Sequence, residues 1–264
     1  MLTLHAVSDS MILDKFQLSG RNALVTGSSR GLGAAIALAL AQAGANVGCH
    51  GKSDAGIGTS KKIRQLGRKS FYAAGDVADA NVQSELIETT VAELGSIDIL
   101  VNNAGTIRRA PAVEYSQEYW NELIAVNLTA VFRLSQLAAQ QMLKRGTPGK
   151  IVNIASLLSF QGGITVPAYA AAKGGVAQLT KALSNEWASK AINVNAIAPG
   201  YMVTDNTTAL RNDPVRSRQI LERIPAGRWG EPEEIAGAAV FLCSSASDYI
   251  HGHILAVDGG WLAR

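Results

Sequence analysis

The sequence predicts an α/β fold: a single domain in three layers, with helices on both faces of a doubly wound parallel sheet of about seven strands. Three observations carry this. Short apolar runs alternate with longer stretches of helical spacing along the chain. The 264 residues are 47% hydrophobic and 17% charged, which suits a compact core and argues against disorder. No linker, internal repeat or low-complexity tract interrupts the alternation, and the length falls within the range of one α/β domain.

The apolar runs Ala23–Thr26, Ala45–Cys49, Ser70–Ala74, Ile97–Val101, Lys150–Ala155, Asn193–Ala198 and His253–Val257 read as strands. Between them, Leu32–Ala43, Val82–Leu94, Tyr119–Leu143 and Tyr169–Ser189 have helical spacing. Strand–helix–strand units of this kind make right-handed crossovers and a sheet covered on both faces. Residues 1–15 read as a flexible extension ahead of a domain spanning 16–264, with Met11 as an alternative start.

A net charge of +3 is too small to point to a nucleic-acid partner. The densest basic stretch, Lys61–Lys69, reads as the solvated face of a surface helix. The two cysteines, Cys49 and Cys243, form no CxxC, so neither a disulfide framework nor a thiolate metal site is expected. A reducing, cytoplasmic compartment fits. His251 and His253 lack further ligands at metal spacing, so no metal is expected. With no apolar run of membrane-spanning length and no signal-peptide pattern, no membrane partner is expected. The low charge fraction fits a surface partly buried between subunits.

In an open parallel sheet, ligands bind beyond the carboxyl ends of the strands. The first strand is followed by Thr26-Gly27-Ser28-Ser29-Arg30-Gly31-Leu32-Gly33. Its glycines permit a tight turn and close backbone approach to a pyrophosphate, and the next helix offers free N–H groups to the phosphates. The spacing is Gly-xxx-Gly-x-Gly. The second strand ends at Cys49-His50-Gly51-Lys52-Ser53, with no carboxylate placed to read a ribose 2′-hydroxyl. Lys52 and Arg30 can instead meet a 2′-phosphate, which favours NADP(H) and leaves NAD(H) open. Asp76 and Val77 follow the third strand, where a carboxylate can meet adenine. Asn102-Asn103-Ala104-Gly105 follows the fourth, where small residues let backbone lie against ribose.

Tyr169 and Lys173 stand four apart at the start of a helical pattern, hence on one face. An ammonium beside a phenol favours the phenolate and makes the tyrosine a usable acid and base. That pair alone is a weak signal. Ser156 strengthens it: it ends the fifth strand, and its hydroxyl can hydrogen-bond a reacting carbonyl or alkoxide. A turn cap is the plainer role for Ser156. No Gly-x-Ser-x-Gly surrounds it and no histidine follows before Lys190, which disfavours a hydrolase nucleophile.

TGSSRGLG, NNAG, Asn127, Ser156, YAAAK and Ala198-Pro199-Gly200-Tyr201-Met202-Val203-Thr204 occur in the order seen in the short-chain dehydrogenase/reductase superfamily. The resemblance runs from about Leu18 to the C-terminus. It implies a Rossmann-type sheet, hydride transfer at nicotinamide C4, and a homotetramer. It further implies that Tyr169 is the acid/base and that Lys173 tunes it and bonds the nicotinamide ribose. By the same resemblance Ser156 orients the substrate oxygen and Asn127 holds a water in the proton relay. Pro199, Gly200, Met202 and Thr204 would flank the carboxamide.

Four stretches, NNAGTIRR, IASLLSFQGG, RIPAGRWG and AVDGGWLAR, resemble the sugar-acid branch of that superfamily, the 2-dehydro-3-deoxy-D-gluconate 5-dehydrogenases and 2-deoxy-D-gluconate 3-dehydrogenases. A sugar acid needs a cation for its carboxylate and polar groups for its hydroxyls. Arg108, Arg109 and Gln161 follow strand ends on the appropriate side, and Tyr201 opens a segment able to act as a lid. Both arginines could equally be solvated. An acyl-carrier-protein ketoreductase, a dehydrogenase of steroids or other apolar alcohols, and a non-catalytic cofactor sensor remain as alternatives. The last is expected to have lost Tyr169 or Lys173.

Overall fold

The computed structural model describes residues 11–264. The extension expected over 1–15 falls largely outside them. Its last residues belong to a short turn, Ile12–Phe16, where the Lys15 carbonyl accepts the Ser245 hydroxyl at 3.0 Å.

The chain runs β1 (Asn22–Val25), α1 (Gly31–Gln42), β2 (Asn46–Gly51), α2 (Ile57–Gln65), β3 (Ser70–Ala74), α3 (Ala80–Leu94) and β4 (Ile99–Asn102). It continues through α4 (Gln117–Ile124), α5 (Ala130–Arg145), β5 (Gly149–Ile154), α6 (Pro167–Trp187) and β6 (Ile192–Pro199). It ends with α7 (Thr208–Asn212), α8 (Pro214–Arg223), α9 (Ala236–Cys243) and β7 (Ile254–Val257). The strands form one seven-stranded sheet in the order β3-β2-β1-β4-β5-β6-β7, and every pairing is parallel. Strand order reverses between β1 and β4. Crossovers leave in opposite directions there and open a crevice at the carboxyl edge.

Alternation along each strand divides the core. Ala23, Val25, Ile99, Val101, Val152 and Ile154 pack with α1 and α9 on one face. Leu24, Leu100, Ile151 and Val194 pack with α3, α5 and α6 on the other. Because both faces are covered, the central strands read as continuous apolar runs. Asp79 caps α3 through the Asn81 N–H, and Gly95, at φ 95°, ends it.

The helical stretch expected as one piece over Tyr119–Leu143 is divided. Between α4 and α5, residues Ala125–Thr129 form a π-helical turn, with Asn127 at its centre and fully buried. Such turns widen a helix locally and are frequent at functional sites. The whole stretch Gln117–Arg145 is long and apolar enough to cross a membrane by length and composition alone. Its apolar side chains, among them Leu134, Ala138 and Met142, are instead spent on the sheet.

Candidate active site

At the carboxyl edge lies a cleft of about 840 Å³, lined by the segments that follow β1 to β6. The glycine turn forms one wall. Gly27 has φ 62°, and a Cβ there would lie 2.8 Å from the Ala104 Cα. A Cβ on Gly33 would lie 2.2 Å from the Gly27 carbonyl oxygen. Only glycine lets α1 start so close to the turn. No side chain caps the start of α1, so its first N–H groups face the cleft unclaimed.

The NNAG segment is bolted to this turn. Asn103 Nδ2 donates to the carbonyls of Thr26 and Gly27, both at 2.9 Å. The Asn103 and Ala104 N–H groups both donate to Thr26 Oγ1, at 3.0 and 3.1 Å. Asn127 extends the brace. Its Oδ1 accepts the Thr106 N–H at 3.0 Å and its Nδ2 donates to the Thr106 carbonyl at 2.9 Å. The π-helical turn thus holds the loop after β4 through a side chain with no free polar atom.

The end of the cleft that follows β2 and β3 carries opposite charges. Lys52 pairs with Asp76 at 2.7 Å, which pulls the Asp76 carboxyl below its ordinary range. Arg30 pairs with Asp205 at 2.7 Å, joining the glycine turn to the segment after β6. Lys52 and Arg30 line the cleft and are largely exposed. Ser29, Gly31, Leu32, Val77, Gly105, Pro199, Gly200, Met202 and Thr204 line it too.

Ser156, Tyr169 and Lys173 meet in the same cleft. Ser156 Oγ accepts the Leu158 N–H at 3.2 Å, capping the turn Leu157–Ser159 and leaving its own proton free to donate. The cap therefore does not exclude the catalytic role expected of Ser156. Lys173 is buried, and its ammonium donates to the Ile154 carbonyl at 2.6 Å, 5.7 Å from the centre of the Tyr169 ring. Burial lowers the Lys173 pKa to about 8. Burial also pushes the Tyr169 phenol above its ordinary value, while Ser156 and the Arg109 guanidinium pull it back.

The residues expected to meet the substrate do not gather in one place. Arg108 is held by Glu122, and Arg109 donates to the Asn206 carbonyl at 3.1 Å. Gln161 Oε1 accepts from Arg223 Nη2 and from Trp261 Nε1, both at 3.2 Å. Tyr201 packs between Trp229 and Trp261, with ring centroids 5.5 and 4.7 Å away. None of these four lines the cleft, whereas Ser156 does.

Sequence reasoning passed over His50, Ser28, Thr26, Glu122 and Asp205. His50 had one visible signal, a titratable side chain at the carboxyl end of a strand. The others act through partners distant in sequence.

A family model described as enoyl-(acyl carrier protein) reductase matches residues 27–262. The chain belongs to this family and to the short-chain dehydrogenases/reductases. Fold and family together define an NAD(P)-dependent oxidoreductase that acts on CH–OH groups. The 2-dehydro-3-deoxy-D-gluconate 5-dehydrogenase of Dickeya dadantii is 51% identical over 260 residues, covering 96% of this chain and 100% of that one. A candidate 2-deoxy-D-gluconate 3-dehydrogenase from Agrobacterium tumefaciens, solved with bound NADP, is 57% identical with a TM-score of 0.89, covering 95% and 99%. A gluconate 5-dehydrogenase from Burkholderia cenocepacia, in complex with NADP and tartrate, is 42% identical with a TM-score of 0.92, covering 96% and 100%.

Proposed function

We propose that the protein interconverts a secondary alcohol and a ketone on a deoxy-ketogluconate, as a 2-dehydro-3-deoxy-D-gluconate 5-dehydrogenase, with NADP(H) as the preferred cofactor. The observation that carries this is near end-to-end identity of 51% to 53% with enzymes of that name from several bacteria. The cleft fits a dinucleotide. Its glycine cradle excludes a Cβ, the start of α1 is uncapped, and two cations stand at the adenosine end. Exposed ion pairs contribute little, so a 2′-phosphate can draw Lys52 and Arg30 from Asp76 and Asp205 at small cost.

When bound, NADP(H) supplies or takes up the hydride. The chain's own residues move the proton. In reduction, Ser156 donates a hydrogen bond to the ketone oxygen and Tyr169 gives that oxygen its proton. The Lys173 ammonium, fixed by the Ile154 carbonyl, stabilises the phenolate left behind. In oxidation the same groups act in reverse. Asn127 keeps the loop after β4 in place beside them.

Two further features belong to this reading. Trp120 on α4 and Phe132 on α5 are part-exposed apolar side chains, which supports assembly with further copies into a homotetramer. Cys49 and Cys243 are free thiols, which supports a reducing cytoplasm.

The test is an NADPH and NADH oxidation assay on a panel of keto-sugar acids, with acetoacetyl thioester and steroid controls. The acids should turn over and the controls should not. Tyr169→Phe should nearly abolish turnover and still bind NADPH. Thioester reduction exceeding that of every acid would overturn the substrate, and near-normal turnover by Tyr169→Phe would overturn the mechanism.

A further inference from the structure

His50 takes no part in the reaction above, yet it is almost wholly buried at the end of β2, against the glycine turn. Every polar group it has is engaged. Its N–H donates to Ser28 Oγ at 3.0 Å, and its carbonyl accepts the Ser28 N–H at 2.8 Å. The Gly27 N–H donates to His50 Nδ1 at 3.2 Å. A backbone N–H can only donate, so Nδ1 is an acceptor and the ring proton sits on Nε2. Nε2 then donates to the Gly75 carbonyl at 3.0 Å. The Gly75 N–H returns a bond to the Gly51 carbonyl at 3.0 Å.

One imidazole therefore ties together the turn after β1, the end of β2 and the turn after β3. The ring occupies the Gly27 N–H and the His50 backbone carbonyl the Ser28 N–H, which leaves the later ones, at the start of α1, for an anion. Gly75 leads directly into Asp76 and Val77, and His50 into Lys52.

We infer that His50 is a positioning residue for the dinucleotide. Its neutral ring sets the distance between the turn that meets the pyrophosphate and the turn that meets the adenosine. This rests on the cofactor reading above. A protonated ring would present a donor to the Gly27 N–H and force the glycine turn to move.

Burial keeps the ring below its ordinary pKa, against the Gly75 carbonyl and the Asp76 carboxylate, which favour the cation. Among the elements packed on β2, β1 and α1 bring no ionisable side chain. From β3 comes Tyr72, from the short turn Asp54–Gly56 comes Asp54, from α2 come Lys61, Lys62 and Arg64, and from α3 come Glu85, Glu88 and Glu93. Asp76, itself paired with Lys52, is the one charged group that acts on the ring among the described residues.

The experiment is fluorescence titration of the full-length protein with NADH and NADPH, from about pH 8 to about pH 5.5. His50→Ala should weaken both dinucleotides about tenfold at the upper pH. His50→Asn places an acceptor near the position of Nδ1 and should recover most of that loss. Wild-type affinity for NADH should fall as the pH drops below the ordinary histidine value of about 6.5, and His50→Asn should not share that fall. NADH is the diagnostic ligand because the 2′-phosphate of NADPH takes up a proton in the same range.

Unchanged affinity in His50→Ala, or identical NADH pH profiles in wild type and His50→Asn, would overturn the inference while leaving the cofactor reading intact. If His50→Ala does not fold, the comparison between wild type and His50→Asn decides. If wild type binds neither dinucleotide, the cofactor reading and this inference fail together.

Discussion

Glu122 on α4 holds Arg108 with both carboxylate oxygens, Nε to Oε2 at 2.8 Å and Nη2 to Oε1 at 3.0 Å. The guanidinium also lies over the Tyr119 ring, 5.5 Å from its centre. The adjacent Arg109 instead acts on Tyr169, lowering its pKa. The two arginines that read alike in sequence are thus committed to different sides of the loop after β4.

Arg109→Ala should therefore lower kcat/KM for the keto acid ten- to a hundredfold, from a charge-assisted bond on the order of 1.5–3 kcal/mol. Arg108→Ala should cost far less, because its charge is already spent on Glu122. On an uncharged analogue Arg108→Ala should lose nothing, whereas Arg109→Ala should lose less than on the acid but not nothing, because Arg109 also acts on Tyr169. Kinetics of both variants on both substrates check this; equal losses for the two arginines would contradict the split.

Lys173 carries its charge inside the protein at a cost to stability. Its folded pKa is about 8 against 10.5 for the free side chain. Between those values the unfolded chain binds the proton and the folded one does not, so stability rises with pH across that window. At neutral pH both forms are charged and the full penalty applies, on the order of 3 kcal/mol. Lys173→Met should lose turnover yet match or exceed the wild type in urea denaturation near neutral pH. That advantage should shrink as pH rises from about 8 to about 10. A gap between the two proteins that does not change with pH would remove the argument.

Lys52→Gln and Arg30→Gln should each weaken NADPH binding about tenfold or more and change NADH affinity less than about twofold. The physical basis is a dianion lost from one ligand and absent from the other. Dissociation constants for both cofactors settle it. A wild type that prefers NADH would leave these two cations as surface charges.

Gly33→Ala should disrupt the cleft, because its Cβ would sit 2.2 Å from the Gly27 oxygen and 2.4 Å from Asn103 Nδ2. Overpacking of this kind costs about 1–3 kcal/mol and should sharply weaken dinucleotide binding. Gly237→Ala on α9 is the contrast. A Cβ there meets nothing within 4 Å, so it should gain roughly 0.5 kcal/mol. Urea unfolding of both variants would expose an error in either sign.

The fold was largely legible because it follows from local pattern. The apolar runs at Ser70–Ala74 and Lys150–Ala155 match β3 and β5 to within a residue. Pattern could not show the π-helical turn at Ala125–Thr129, because its apolar spacing continues that of the flanking helices. Its form is tied instead to Asn127 reaching Thr106, a contact made only after folding.

By itself the sequence determined the parallel sheet, the glycine turn and the set Ser156, Tyr169 and Lys173. Each depends on residue type at short spacing, and short spacing survives in any correct fold. Tertiary structure alone decided which charges are free. Arg108 meets Glu122, Arg30 meets Asp205, Gln161 is shared by Arg223 and Trp261, and His50 bridges Gly27 and Gly75. In each case at least one partner lies on another element, brought within bonding distance by packing. The strength of a charge or hydrogen bond depends on that distance and on the burial around it, and neither is written in the order of residues.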